Sequence, residues 1–256
     1  MKVLGWSDID RFDPHEIDAV TIGVFDGVHR GHQHLLRIAQ EYGRVCVVTF
    51  RDNPQTVLRP HTYLGDVCTI RQKIELLQDH GTACTVLVDF TGSFRELPGK
   101  AFISRLVDRM RPTAFVVGSD FRCGVGLDTG AREIARYLSP QGIRVDIAAP
   151  LKDNGQSVSS TRVRRAVSHG DVSQARRLLG RPYVLDLRDL DGICDGYRIP
   201  RMSVTQVLPN EGSFIVRPSA DGDTVDMTVF PDYIELHRAG RCDLIEFLNR
   251  KPTLVA

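Results

Sequence analysis

The stretch Gly23-Val24-Phe25-Asp26-Gly27-Val28-His29-Arg30-Gly31-His32-Gln33-His34-Leu35 decides the fold. It starts where the apolar run 19–24 ends and leads into Leu35-Leu36-Arg37-Ile38-Ala39, whose apolar positions recur at helical spacing. The pattern predicts a strand, a tight glycine-rich turn and a helix. Such a turn suits a phosphate: Gly27 and Gly31 allow close backbone approach, and the helix start offers N–H groups and the positive end of its dipole. His29 and His32, three apart, share one side of the first helical turn, where imidazole N–H groups can donate to triphosphate oxygens and stabilise developing charge. A plain helix cap accounts for this less well, because two glycines, two histidines and Asp26 crowd around one strand exit.

Outward from this stretch, Gly43 ends the helix and 44–50 (RVCVVTF) reads as a second strand, giving a βαβ unit. Residues 51–65 (RDNPQTVLRPHTYLG) hold two prolines and little periodicity, and predict a long loop of the kind that often carries function. Helices are expected from Thr69 with Ile70, Ile74 and Leu77 on one face, over 99–110 after Pro98, and over 131–138. Further apolar runs at 84–90, 113–118 and 142–148 bring the strand candidates to five, alternating with helices and apolar on both faces. That alternation predicts a Rossmann-like α/β domain with a parallel sheet covered on two sides. Ligands bind such sheets at the carboxyl ends of the strands, where the opening turn falls.

Residues 159–181 carry six arginines against one acid, Asp171, in a helical pattern broken at His169-Gly170-Asp171. Beyond Pro182 the texture changes to short β-like runs at 184–187, 202–208, 213–217, 224–229 and 233–237. The expected organisation is therefore a first domain over 1–182 and a small β-rich, barrel-like domain over 183–256.

Composition is that of a soluble globular protein, 42% hydrophobic and 25% charged over 256 residues. The formal charge of +1 divides into −4 from Tyr183 onward and +5 before it. That mild excess suits small anions and argues against a general nucleic-acid surface. Six cysteines without a C-x-x-C pair suggest neither a zinc site nor a disulfide framework, and point to a reduced, cytoplasmic setting. The first dozen residues lack a secretory apolar core, and no run approaches the ~18 apolar residues of a membrane span.

Two further clusters carry chemistry. Val117-Gly118-Ser119-Asp120-Phe121-Arg122-Cys123-Gly124 follows a central strand and would set Asp120 at the same sheet rim as the histidines; an Asx-turn is the plainer alternative. Ser159-Ser160-Thr161-Arg162-Val163-Arg164-Arg165 opens a helix, where hydroxyls cap amides or bind phosphate beside an arginine one turn on. No Ser-His-Asp or Cys-His arrangement is in evidence.

Together, GVFDGVHRGHQHLL, VVTF, VVGSDFRCG and SSTRVRRAVSHGDVSQARRLLGRPY resemble, in order and at similar spacing, the adenylyltransferase module of the prokaryotic FAD synthetases, the bifunctional riboflavin kinase/FMN adenylyltransferases. The resemblance spans residues 20–183. It implies that AMP passes from ATP to FMN, giving FAD and pyrophosphate, with Mg2+ as the ion. It further implies that His29, His32 and Arg164 are catalytic, and that Gly23, Phe25, Asp26, Gly27, Gly31, Ser160 and Thr161 lie on the ATP phosphates. Asp120, Phe121 and Asn53 would lie toward the flavin or metal.

Two departures stand out. Arg51-Asp52-Asn53-Pro54 replaces a proline-and-histidine loop. Where the kinase module carries P-T-A-N, this chain has Tyr197-Arg198-Ile199-Pro200-Arg201-Met202-Ser203, without the threonine or the asparagine. Ile234-Glu235-Leu236-His237 resembles the segment holding the kinase glutamate, so a degenerate remnant without riboflavin kinase activity is expected. The alternatives are a flavin-nucleotide-binding protein without turnover, or a transferase for another phosphorylated acceptor.

Overall fold

The computed structural model describes residues 1–11, 13, 16–190, 198–218, 222–237 and 242–252. The chain forms two compact units, one of residues 1–60 and 74–157, the other of 61–73 and 158–256.

The first unit is built on strands β1 (Lys2–Gly5), β2 (Ala19–Ile22), β3 (Val45–Phe50), β4 (Cys84–Val88), β5 (Ala114–Gly118) and, later, β8 (Arg144–Ala148). All their pairings are parallel, in the order β1-β4-β3-β2-β5-β8. Two short antiparallel pairs complete it, β6 (Arg122–Cys123) with β7 (Thr129–Gly130) and β9 (Lys152–Asp153) with β10 (Gln156–Ser157). Between the strands run α1 (Arg30–Gln40), α2 (Pro54–Leu58), α3 (Ile70–Asp79), which starts in the other unit, α4 (Gly92–Arg95), α5 (Gly99–Met110) and α6 (Ala131–Leu138).

Successive strand residues point to opposite faces, so an apolar strand needs cover on both. On one face Ala19, Val45, Val47, Ala114 and Val116 pack with Leu35, Leu36 and Ala39 of α1. On the other, Val20, Ile22, Cys46, Val48, Phe115 and Val117 pack with α5 and α6 through Phe102, Leu106, Ile134 and Leu138. Each fully buried Val, Leu, Ile or Phe among them contributes roughly 1.5–3 kcal/mol. The topology decides where a ligand can bind: from β2 the chain builds outward in one direction to β3 and β4, and in the other to β5 and β8. The crevice at the carboxyl ends of β2 and β5 is the topological switch point of the sheet.

The second unit holds α7 (Ser160–Ser168), α8 (Val172–Leu179) and the strands β11 (Tyr183–Asp186), β12 (Arg198–Pro200), β13 (Gly212–Pro218), β14 (Val225–Val229), β15 (Tyr233–Leu236) and β16 (Leu244–Arg250). The strands form one antiparallel sheet in the order β11-β16-β13-β14-β15-β12. Segment 61–73 belongs to it through buried polar contacts. Asp66 forms a single parallel bridge with Gln206, and the Gln206 side chain donates to Val67 O at 3.1 Å and Val184 O at 3.0 Å while accepting from Asp186 N at 2.7 Å. Gly65, at φ +108°, lies so close to the backbone of 205–207 that a Cβ would stand 2.8 Å from Val207 N, which only glycine permits. Thr69 and Gln72 cap α3 reciprocally, each side chain bonding the other's backbone N–H. Thr69 also donates to Asp186 at 2.7 Å.

Several expectations need correction. The compact units part at 157/158, because α7 and α8 pack with the antiparallel sheet, α8 lying against β11 and β16; the boundary near 182 is a division by activity. The expected 51–65 loop contains α2, capped by Asn53, whose side chain accepts from Gln55 N at 3.1 Å. Residues 202–208 form no strand beyond the bridge at Gln206; a 3-10 turn, Arg201–Ser203, opens them. β1, β12 and β16 are additions.

Candidate functional site

β2 is buried along its whole length and delivers the chain to the switch point at Gly23. There the backbone turns sharply. Phe25 (φ 51°), Gly27 (φ 77°) and Val28 (φ 37°) all adopt positive φ around a 3-10 turn, Asp26–Val28. Positive φ suits glycine but is strained for phenylalanine and more so for β-branched valine, at about 1–3 kcal/mol each. Packing holds the strain in place, since the Phe25 and Val28 side chains are fully buried in the core under α1. Two hydrogen bonds bracket the turn: Thr49 Oγ1 on β3 donates to Val24 O at 2.8 Å, and Gln33 Nε2 on α1 donates to Val28 O at 2.9 Å.

His29 caps α1, its Nδ1 accepting from His32 N at 3.3 Å. That bond makes Nδ1 an acceptor and leaves the ring proton on Nε2. The two imidazoles stack, with centroids 3.6 Å apart and planes 14° from parallel, and the Phe25 ring backs His32 at 4.9 Å. Asp26 is buried and accepts from the buried Asn53 Nδ2 at 3.4 Å. Of the expected site residues, Gly23, Phe25, Asp26, Gly27, His29, Gly31, His32 and Asn53 thus belong to this turn and its contacts. Phe25 supports the histidines from inside the core, and Gly31 is an ordinary helical residue of α1.

Asp120 is exposed in the turn after β5, the strand beside β2. Ser119 N donates to Ala148 O at 3.0 Å and Phe121 N to Gly118 O at 3.0 Å, while the Phe121 ring packs on the core. Burial, and then the nearby Asp128 carboxylate, push the Cys123 thiol up to about 12, so it stays protonated and is no nucleophile at neutral pH.

Ser160, Thr161 and Arg164 belong to the second unit. The α7 cap is Ser159, whose side chain accepts from Arg162 N at 3.3 Å; Ser160 and Thr161 are the first helical residues. Arg164 is buried, its Nε donating to Gly65 O at 2.8 Å and its guanidinium 4.9 Å from the Tyr63 ring centroid. Sequence reasoning missed Tyr63 and Gly65 as its partners, because nothing local marks a contact across a hundred residues. It missed Thr49 and Gln33 too, although both lie inside the quoted motifs.

A parallel α/β sheet with stacked imidazoles at a helix start on its switch point has the layout of a nucleotidyltransferase. The family model described as FAD synthetase matches residues 13–162. The bifunctional riboflavin kinase/FMN adenylyltransferase of Escherichia coli strain K12 is 32% identical over 214 residues, covering 79% of this chain and 68% of that protein. Its namesake from Pseudomonas fluorescens is 34% identical over 222 residues, covering 82% and 71%. A crystallised macrolide-efflux protein from Streptococcus pneumoniae superposes with a TM-score of 0.79 at 20% identity, over all of this chain and 93% of that one, a likeness of fold alone. The chain belongs to the FAD synthetase family, nucleotidyltransferases that make FAD from FMN and ATP.

Proposed function

We propose that this chain transfers AMP from ATP to FMN at the β2–α1 turn and does not phosphorylate riboflavin. An FMN phosphate oxygen attacks the α-phosphorus of ATP, the bond to the bridging oxygen breaks, and pyrophosphate leaves. The stacked His29–His32 pair carries this reading, since two imidazoles on one helical turn can donate to the triphosphate as charge shifts to the leaving group. Positioning and charge neutralisation suffice for such a transfer, and no protein nucleophile is needed. Mg2+ would enter with the ATP phosphates and neutralise their charge, and the exposed Asp120 carboxylate has the chemistry to hold it. Ser160, Thr161 and Arg164 would serve the phosphates, and Asn53 and Phe121 the flavin side.

The first domain, 1–182, is read as the transferase and 183–256 as a kinase-like remnant. In that remnant Glu235, at the position resembling the kinase glutamate, is paired with Arg198 at 3.3 Å across β12 and β15. Tyr197, the start of the altered kinase motif, lies outside the described residues. The substrates fit a cytoplasmic protein, and no helix among the described residues is long and apolar enough to cross a membrane. Small molecules are the partners proposed, with no nucleic acid. A binding protein without turnover is the second reading, favoured by the engagement of Arg164 with Gly65 and Tyr63.

One assay decides. Purified protein with Mg2+, ATP and either FMN or riboflavin is followed chromatographically for FAD, FMN and pyrophosphate. FAD from FMN and nothing from riboflavin is expected. FMN formed from riboflavin overturns the kinase claim, and absence of pyrophosphate favours the binding protein.

A further inference from the structure

The turn that presents the histidines is strained, and the carbonyls at its two ends, Val24 O and Val28 O, are both held by side chains from beyond it. That task falls to residues on two other elements. Thr49, fully buried near the end of β3, donates its hydroxyl to Val24 O just before the first left-handed residue. Gln33, one turn into α1, donates its side-chain amide to Val28 O, the last carbonyl of the turn. Phe25, Gly27 and Val28, the residues at positive φ, lie between these two anchored carbonyls.

Building on the adenylyltransferase reading, we infer that Thr49 and Gln33 are positioning residues, which set the reactive placement of His29 and His32 by anchoring both ends of the turn. The linkage is short. His29 follows directly on the carbonyl that Gln33 holds, and its ring both receives the His32 N–H and stacks on the His32 ring. A strained backbone released at either end relaxes toward ordinary φ values and turns the His29 Cα–Cβ direction with it. Apolar burial of Phe25 and Val28 resists a gross rearrangement, so the expected consequence is a shift of the imidazoles and not loss of the fold. Shifts of about 1 Å in a reacting group are enough to slow an enzyme by up to about a hundredfold.

The test uses the full chain and four variants. Thr49→Val keeps shape but removes the hydroxyl, Thr49→Ser restores it, Gln33→Leu removes the amide, and Gln33→Glu keeps its length without the donor. Measured for each are kcat and KM for FMN and ATP in FAD synthesis, the melting temperature, and the imidazole 15N shifts of His29 and His32 in ligand-free protein.

Thr49→Val, Gln33→Leu and Gln33→Glu are expected to lower kcat by about tenfold or more, leave the KM for FMN within about twofold, and move the histidine resonances, while Thr49→Ser stays within about threefold of the original kcat. Unchanged kcat in Thr49→Val or Gln33→Glu overturns the proposal. So do a fall in kcat with unmoved histidine resonances, and a Thr49→Ser as impaired as Thr49→Val. If Thr49→Val or Gln33→Leu does not fold, Thr49→Ser and Gln33→Glu decide alone. Should the unaltered protein make no FAD, the adenylyltransferase reading fails, while the histidine shifts still report whether the anchors set the ring positions.

Discussion

Two helix starts in this molecule look alike as sequence and differ as structure. The α1 start and the α7 start both combine capping residues with cationic or imidazole side chains suited to phosphate. At α1 the cap is itself a proposed ligand-binding side chain, His29, and the left-handed backbone before it, the Phe25 ring and the anchors at Val24 and Val28 all bear on where its ring lies. At α7 the cap is an ordinary serine, and the most distinctive side chain, Arg164, is buried against Gly65 and Tyr63. The difference teaches that a charged side chain in a motif can also be tied into the fold, whereas strained backbone beside a polar pair marks a place where structure serves chemistry.

The comparison can be broken at its strongest point first. His32→Ala is expected to lower the turnover of FAD synthesis by about 10²–10³, the usual effect of losing one transition-state donor, with little change in melting temperature. Unchanged turnover would remove the imidazole pair from the chemistry. Arg164→Lys tests the other helix: it keeps the charge but loses the planar fork, and should reduce stability by about 1.5–3 kcal/mol, read by urea denaturation. Turnover should fall as well, since Arg164 is also proposed to serve the phosphates; lost turnover at unaltered stability would leave it that role alone and bring the two helix starts back together.

A smaller effect concerns acid. Burial raises the pKa of Asp186, but hydrogen bonds from Arg188 and Thr69 outweigh it and hold the carboxyl below its usual value. A depressed folded pKa stabilises above the unfolded value, about 3.9, and the benefit is lost as pH falls through the folded one. The second unit should therefore weaken below about pH 4, and Asp186→Asn should flatten that part of a stability profile measured by fluorescence. Least of all is expected from Glu235→Gln: FAD formation unchanged, and riboflavin left unphosphorylated before and after the substitution.

Much of the first unit could be read directly. Continuous apolar runs reveal buried parallel strands, so five of its six main strands and helices α1, α5 and α6 were within reach. β1 escaped because Lys2–Gly5 is an edge strand, half exposed, without the long apolar run of its neighbours. α2 hid behind Pro54, a breaker that is also a good first helical residue. In the second unit β16 has the alternating burial of a half-covered strand, a weaker signal than the continuous apolar runs of the first unit. Residues 202–208 misled in the other direction, since their β-favouring composition supports one bridge and a buried glutamine instead of a ladder. At the site, residue types announced the histidines, but which backbone atoms Thr49 and Gln33 hold depends on three-dimensional placement that no local pattern encodes.

The segment 61–73 cannot be parted from the antiparallel sheet without loss. Its Asp66, Thr69 and Gln72 bond with Gln206, Asp186 and Val184, and its Gly65 with Arg164, so a gene shortened at residue 157 would code for a chain in which these groups had lost their mates. A chain without riboflavin kinase activity, as proposed above, would still need the antiparallel sheet to pair these buried polar groups.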